Sequence, residues 1–232
     1  QGDLQTLLLF GVLLSTVFVG PLMDRFGHKL VLSLSAALVA GALGGFAFAT
    51  GYHAAQVFTL LLGIGGGGLN MATNVLVSDI YGEDRGARLN QLGVFFGIGA
   101  LLMPFITAWV VRAITQLLLA SALLAAVCAI AYAILGFPPA REGGSTSILE
   151  SFKAVRYPGV LLFGFLLFFE SGNESAMTGW MSTWATSMDA SVRTATLILA
   201  LFQGMMMLGR LLAAPVLRHV SKTRLVISSA IG

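Results

Sequence analysis

Of the 232 residues, 57% are apolar and only 10% are charged, against roughly a quarter charged in a soluble globular domain. A soluble fold of this length could not hide so much apolar surface, because it must show polar side chains to water. The formal net charge of +3 does not point to nucleic acid, since the basic residues lie between long apolar blocks, where they serve another purpose.

In chain order, charge-free blocks run from Leu4 to Met23, Leu30 to Thr50, Val57 to Ser78, Leu89 to Val111 and Ile114 to Phe137. Each reaches the ~20 residues that a helix rising 1.5 Å per residue needs to cross a ~30 Å hydrocarbon layer. Two further blocks run from Val160 to about Thr186, interrupted by Glu170 and Glu174, and from Ala195 to Leu217, interrupted by Arg210. Another begins near Leu225. Unpaired backbone amides are costly in lipid, so such runs must be helices or barrel strands; their length and lack of period-two alternation exclude strands. The expected fold is all-α, a polytopic transmembrane bundle with seven full spans and the beginning of an eighth. The single cysteine, Cys128, lies inside a span and reads as a small packing residue.

Residues 138–157 differ from their surroundings. Pro138-Pro139, Gly143-Gly144, Ser, Thr and mixed charges mark a polar linker. It divides an N-terminal part with five spans (1–137) from a C-terminal part (158–232) with two spans and the start of a third. The chain enters its first span within a few residues, with no basic region before it and no small-residue cleavage site after it, which is unlike a signal peptide. The expectation is a piece of a longer protein.

Basic residues alternate between successive connections. Arg25, Lys29, Arg85, Arg88, Arg141, Lys153, Arg156, Arg218, Lys222 and Arg224 fall on one side, and only Arg112 and Arg193 on the other. The positive-inside bias therefore predicts cytoplasmic loops at 23–29, 79–88, 138–157 and 218–224. The expected location is a multi-pass position in a bacterial inner (plasma) membrane, in contact with membrane lipid and with no nucleic-acid partner.

The first of these loops carries a specific pattern. Gly20-x-Leu22-x-Asp24-Arg25-x-Gly27-x-Lys29-x-x-Leu32 closely resembles the loop signature of the major facilitator superfamily, with His28 where that family usually has Arg or Lys. Gly20 would allow close helix approach and Gly27 a sharp turn, while Asp24 could accept hydrogen bonds from a helix N-terminus. The resemblance implies a conformational latch at Gly20, Asp24, Arg25, Gly27 and Lys29. A weaker second copy, Ala214-Pro-Val-Leu-Arg-His-Val-Ser-Lys-Thr223, lies six spans later on the same side, as a parallel repeat of a six-helix unit would place it.

Other segments are similar to the fucose/hexose symporter branch of that family. These are Gly68-Leu-Asn-Met-Ala-Thr-Asn74, Arg88 to Pro104, and Gly172-Asn-Glu-Ser-Ala-Met-Thr-Gly-Trp180. The resemblance implies a stretch from the second helix into the ninth, and secondary active transport of a sugar by alternating access. In the fucose permease of that branch the position matching Asn70 is acidic; Asn cannot titrate there.

Polar groups at membrane depth usually face the bundle interior or a water-filled cavity. Asn70, Thr73 and Asn74 share one helix face, as do Glu170, Asn173 and Glu174, whose stripe continues through Met177, Met181 and Trp184 with Trp180 beside it. Amides and carboxylates hydrogen-bond hydroxyls, and an indole stacks on an apolar sugar face. The candidate solute-binding residues are Asn70, Asn74, Asn173, Glu174, Trp180 and Gln203. Glu174 and Glu170 are candidates for coupling to a proton or sodium ion. Polar contacts that only hold the bundle together are the structural alternative for each of them.

Two other solute or function classes stay open: a transporter of a drug or organic anion, for which Arg210 is the basic candidate, and a receptor of the same fold that does not transport. Arg210 lies in the cytoplasmic third of its span, where it can snorkel to the surface in a structural role or pair with Glu170. The run Gly63-Ile-Gly-Gly-Gly-Gly68 contains G-x-G-x-x-G but follows no strand and lies in an apolar block, so it is not a nucleotide loop. His28, His53 and His219 are scattered without metal-ligand spacing, and no nucleophile–base set is present. Neither a cofactor, a metal nor an enzymatic activity is expected.

Overall fold

The structure is a computed structural model that describes residues 2–109, 114–137 and 156–216, without side chains at 107–109 and 213–216. The elements are α1 (Gly2–Ala47), α2 (Tyr52–Tyr81), a 3₁₀ turn (Gly82–Asp84), α3 (Arg85–Trp109), α4 (Ile114–Ile134), α5 (Pro158–Ser187) and α6 (Val192–Val216). Among the described residues, four helical stretches are long and apolar enough to cross a membrane: Gly2–Ala47, Tyr52–Ile106, Ile114–Ile134 and Val192–Leu212. The first two, at 46 and 55 residues, are each long enough for two crossings. α5 has the length, at 30 residues, but Glu170, Asn173 and Glu174 dilute its apolar character. Nearly all of the expected linker, the 218–224 loop and the start of the eighth span lie outside the described residues, as does most of the second motif copy.

Two connections are tighter than the sequence suggests. α1 is broken at one residue, Gly27, whose φ of 79° and ψ of 165° belong to a region essentially reserved for glycine. The expected loop at 23–29 is therefore a single-residue break between two helical limbs. The loop expected at 79–88 reduces to the three residues of the 3₁₀ turn.

The described residues of Gln1–Leu76 and Val111–Ser175 form one compact unit, and those of Val77–Val110 and Ala176–Gly232 form another. In the first, α2 lies between the two limbs of α1. Gly63 and Gly67 meet Leu8, Gly11, Val12 and Ser15 of the first limb, Gly65 meets Ser35 and Val39 of the second, and Gly68 meets Ser35 of the second and Val19 of the first. Contacts advance together along the first limb and run oppositely along the second, so the limbs form an antiparallel hairpin around α2. Small residues at such interfaces let backbones approach, which matters in lipid because apolar surfaces gain little by leaving it. Val19, Met23, Val31, Leu32 and Ala72 form a buried cluster at the hairpin's closed end, packed by Tyr132 and Phe137 from the end of α4.

In the second unit α3 packs on α6. Gly97 faces Met207, and Gly204 faces Leu101, an antiparallel register. The turn into α6 is capped by Ser191, whose Oγ accepts from the Thr194 amide at 3.1 Å. α5 closes with a left-handed residue, Asp189 at φ 62°, and the Ala190 amide reaches back to the Ala185 carbonyl at 3.2 Å, as a Schellman ending requires.

Candidate solute-binding site

The polar face of α2 comes from a four-residue spacing, which brings Asn70 and Asn74 one above the other. The Asn74 Nδ2 donates to Asn70 Oδ1 at 2.6 Å and to the Asn70 main-chain oxygen at 2.9 Å. Asn70 is exposed and Asn74 half-buried. With its Oδ1 accepting from Asn74, Asn70 keeps its own NH₂ as a donor. Thr73 turns its hydroxyl back to the Leu69 carbonyl at 2.7 Å, so it satisfies itself within the helix. The adjacent glycines of α2 are buried against α1, which leaves the amide face to look elsewhere.

On α5, Glu170 and Asn173 are exposed and Glu174 is half-buried. Glu170 accepts a hydrogen bond from the Ser171 hydroxyl at 3.3 Å. The stripe does continue as spacing requires: Met177 and Trp184 are exposed and Met181 half-buried, with Trp180 also exposed. Gln203 of α6 is buried, and its Nε2 donates to Thr178 Oγ1 on α5 at 3.3 Å. One of its amide hydrogens is therefore committed to joining two helices, as a buried amide requires.

The residues expected to form a latch lie at and around the α1 hairpin turn. Asp24 is half-buried, Arg25 and Lys29 are exposed, and Gly27 and His28 are buried. Arg25 lies over the neighbouring Phe26 ring at 5.2 Å. The close approach expected at Gly20 does not occur among the described residues: a Cβ there would meet nothing within 4 Å.

One cluster was not assembled by the sequence reading. Arg210 of α6 is half-buried, and its Nη1 donates to the Gly93 carbonyl at 3.3 Å. Its guanidinium stands 5.8 Å from the centroid of the Phe96 ring, within cation–π range. Asn90 completes the set by donating its amide to the Arg210 main-chain oxygen at 3.1 Å. The signal was present as Asn90, Gly93 and Phe96 at three-residue spacing on α3, but nothing in the sequence says which helix that face meets. Among the described residues, the side-chain partners of Arg210 are neutral.

Among known proteins, the chain is 32% identical over 170 residues to Citrate exporter 1 of Yarrowia lipolytica, covering 68% of this chain and 24% of that protein. It is 28% identical over 155 residues to the multi-drug resistance efflux pump PmrA of Streptococcus pneumoniae, covering 65% of this chain and 39% of the pump. It is also 30% identical over 101 residues to Organic anion transporter 3 of Homo sapiens, covering 43% of this chain and 19% of that transporter. The chain thus spans well under half the length of these relatives, and none of the three is named as a sugar carrier. The pattern of the Major Facilitator Superfamily matches residues 1–232 throughout, in keeping with the multi-pass helical fold and the Asp24–Gly27 turn; the chain belongs to that superfamily.

Proposed function

We propose that the chain is part of a secondary transporter that carries a small organic anion by alternating access, with Arg210 supplying the positive charge that recognises it. The carrying observation is the setting of Arg210. Arg210 stands near the end of the apolar stretch Val192–Leu212, where a guanidinium can reach toward the membrane surface at less cost than at a helix centre. Here its partners are a carbonyl and a ring face, which orient the group without neutralising it. The net positive charge is left to attract a carboxylate, for which the planar guanidinium offers a bidentate fork. The names of the citrate exporter and the organic anion transporter support the same class.

In this reading Asn70, Asn74 and Asn173 in the first unit, and Trp180 in the second, are proposed as solute contacts, each taken within its own unit. Gln203 supports them, and Glu174 or Glu170 carries the coupling proton or sodium ion. The polar linker at 138–157 joins the two halves that rock against each other, and Gly20, Asp24, Arg25, Gly27 and Lys29 form the latch between them. Basic connections at 23–29, 79–88, 138–157 and 218–224 face the cytoplasm of a bacterial cell. A sugar solute is the second reading, favoured by the exposed amide of Asn70 and the exposed indole of Trp180.

The test is uptake into proteoliposomes holding the full-length protein, with labelled citrate, an aryl carboxylate, a hexose and a cationic dye, each with and without a proton or sodium gradient. Carboxylate uptake that is lost in Arg210→Gln and partly kept in Arg210→Lys is the expected result. Hexose or dye uptake that is indifferent to Arg210→Gln would overturn the anion assignment.

A further inference from the structure

We infer that Phe96 sets the solute class at Arg210, making the pair a subsite for a monocarboxylate whose acid group is carried directly on an aromatic ring; this rests on the anion reading above. The Arg210 side chain runs inward. Its main-chain oxygen is level with Asn90, its methylene stem passes Gly93, and its guanidinium stands between the Gly93 carbonyl and the Phe96 ring. Along α3, which begins at Arg85, these positions lead away from the charged turn at 82–88, by about 9 Å from Asn90 to Phe96 at 1.5 Å per residue. An arginine that only sought water would reach the other way, back toward that turn.

This stretch of the α3–α6 pair holds a single charge. From Leu89 to Trp109 on α3 and from Thr194 to Gly209 on α6, the sequence has no charged residue. Past Phe96 the two helices close through Gly97 against Met207 and Leu101 against Gly204. A second carboxylate on the solute would lose its hydration on that apolar seam with no partner in return. One carboxylate is well served. Among the described residues Arg210 spends one N–H, on the Gly93 carbonyl, out of the five that a guanidinium carries in its planar fork. The Nε–Nη2 edge stays open to both oxygens of an acid group.

The ring completes the subsite. Phe96 is 58% exposed, although its centroid lies within cation–π distance of Arg210. Its uncovered surface adjoins the guanidinium, so an acid group on Arg210 brings whatever carries it beside a phenyl ring. A directly attached aromatic ring makes an offset-stacked or edge-to-face contact there and has no methylene torsions to freeze. A saturated ring of the same size fills the space but lacks the quadrupole. A chain bearing further acid groups would set negative charge against the negative ring face.

The test is equilibrium binding of labelled benzoate to the full-length protein in mild detergent, with cyclohexanecarboxylate, citrate and benzamide as competitors. Benzoate is expected to bind roughly three- to tenfold more tightly than cyclohexanecarboxylate, and citrate and benzamide to compete weakly. Phe96→Leu, at an exposed position, should bring benzoate level with cyclohexanecarboxylate, while Phe96→Tyr should keep the preference. Arg210→Gln should lose both acids. Equal binding of the two ring acids by the parent, or an unchanged preference in Phe96→Leu, with both acids still lost in Arg210→Gln, would remove Phe96 and leave the anion reading standing. Benzamide competing as well as benzoate, or Arg210→Gln binding benzoate as the parent does, would overturn the anion reading and this inference with it. Citrate competing as well as benzoate, or no benzoate binding by a parent protein that unfolds cooperatively, would overturn the aryl monocarboxylate class.

Discussion

The side-chain amide of Asn90 donates to the main-chain oxygen of Arg210 at 3.1 Å, and the Arg210 side chain donates back to the Gly93 carbonyl at 3.3 Å. Each helix thus offers a polar side chain to the other's backbone. Interhelical hydrogen bonds in membranes average about 0.6 kcal/mol and rarely exceed about 1.7. Asn90→Ala is accordingly expected to lower stability by about 0.6 kcal/mol in a reversible detergent unfolding titration. Arg210→Met should lower it by a similar, separate amount, and unchanged stability in both variants would dissolve the clasp.

The glycines of α2 are not equivalent. A Cβ on Gly63 would run into the Leu8 carbonyl of α1, while one on Gly66 would meet nothing within 4 Å. Gly63→Ala should therefore cost about 1–3 kcal/mol through overpacking. Gly66→Ala should be neutral or gain up to about 1 kcal/mol from helix propensity. The pair is best compared by thermal unfolding in one detergent, and similar shifts for both would contradict the packing of α2 inside the α1 hairpin.

Gly27 tests the turn itself. With φ at 79° and ψ at 165°, any side chain costs about 1–3 kcal/mol in backbone strain. Gly27→Ala should lower the unfolding midpoint and slow transport together. Asp24→Asn, which changes charge without strain, should slow turnover in vesicles while leaving solute affinity largely intact. Turnover equal to the parent's would remove Asp24 from the latch.

Asp189 makes the opposite prediction. It ends α5 in the left-handed conformation at φ 62°, which glycine adopts at no steric cost. Asp189→Gly should stabilise the turn between α5 and α6, by about half to one kcal/mol less the entropy that glycine adds to the unfolded chain. A midpoint that falls in Asp189→Gly by more than in a control Asp→Gly change at a position of negative φ would mean that the Asp189 carboxylate, and not its backbone, matters at that turn.

Much of the architecture was legible because the properties involved are local. Leu4–Met23 and Ile114–Phe137 are apolar enough to read as spans one residue at a time, and the Gly20–Lys29 pattern announces a turn and a family before any coordinates exist. The four-residue spacing of Asn70 and Asn74 likewise predicted a shared face, and the 2.6 Å bond between them follows from helix geometry alone. The length of the connections was less legible. A single glycine at positive φ replaced a seven-residue loop, since hydropathy marks where charges lie and not where a helix stops.

The sequence by itself determined that this chain is a bundle of membrane-crossing helices of the Major Facilitator Superfamily, with two polar stripes and one arginine at membrane depth. The tertiary structure alone decided that Gly63 and Gly67 meet one limb of α1 and Gly65 the other, that Gln203 is spent on Thr178, and that Arg210 is held by Asn90, Gly93 and Phe96. The reason is physical. In water an apolar stripe tells which face of a helix is inward, but lipid is as apolar as the helices it surrounds, so composition no longer separates inside from outside. Contact is then settled by shape and by which polar groups find partners, and both depend on residues far apart in the chain.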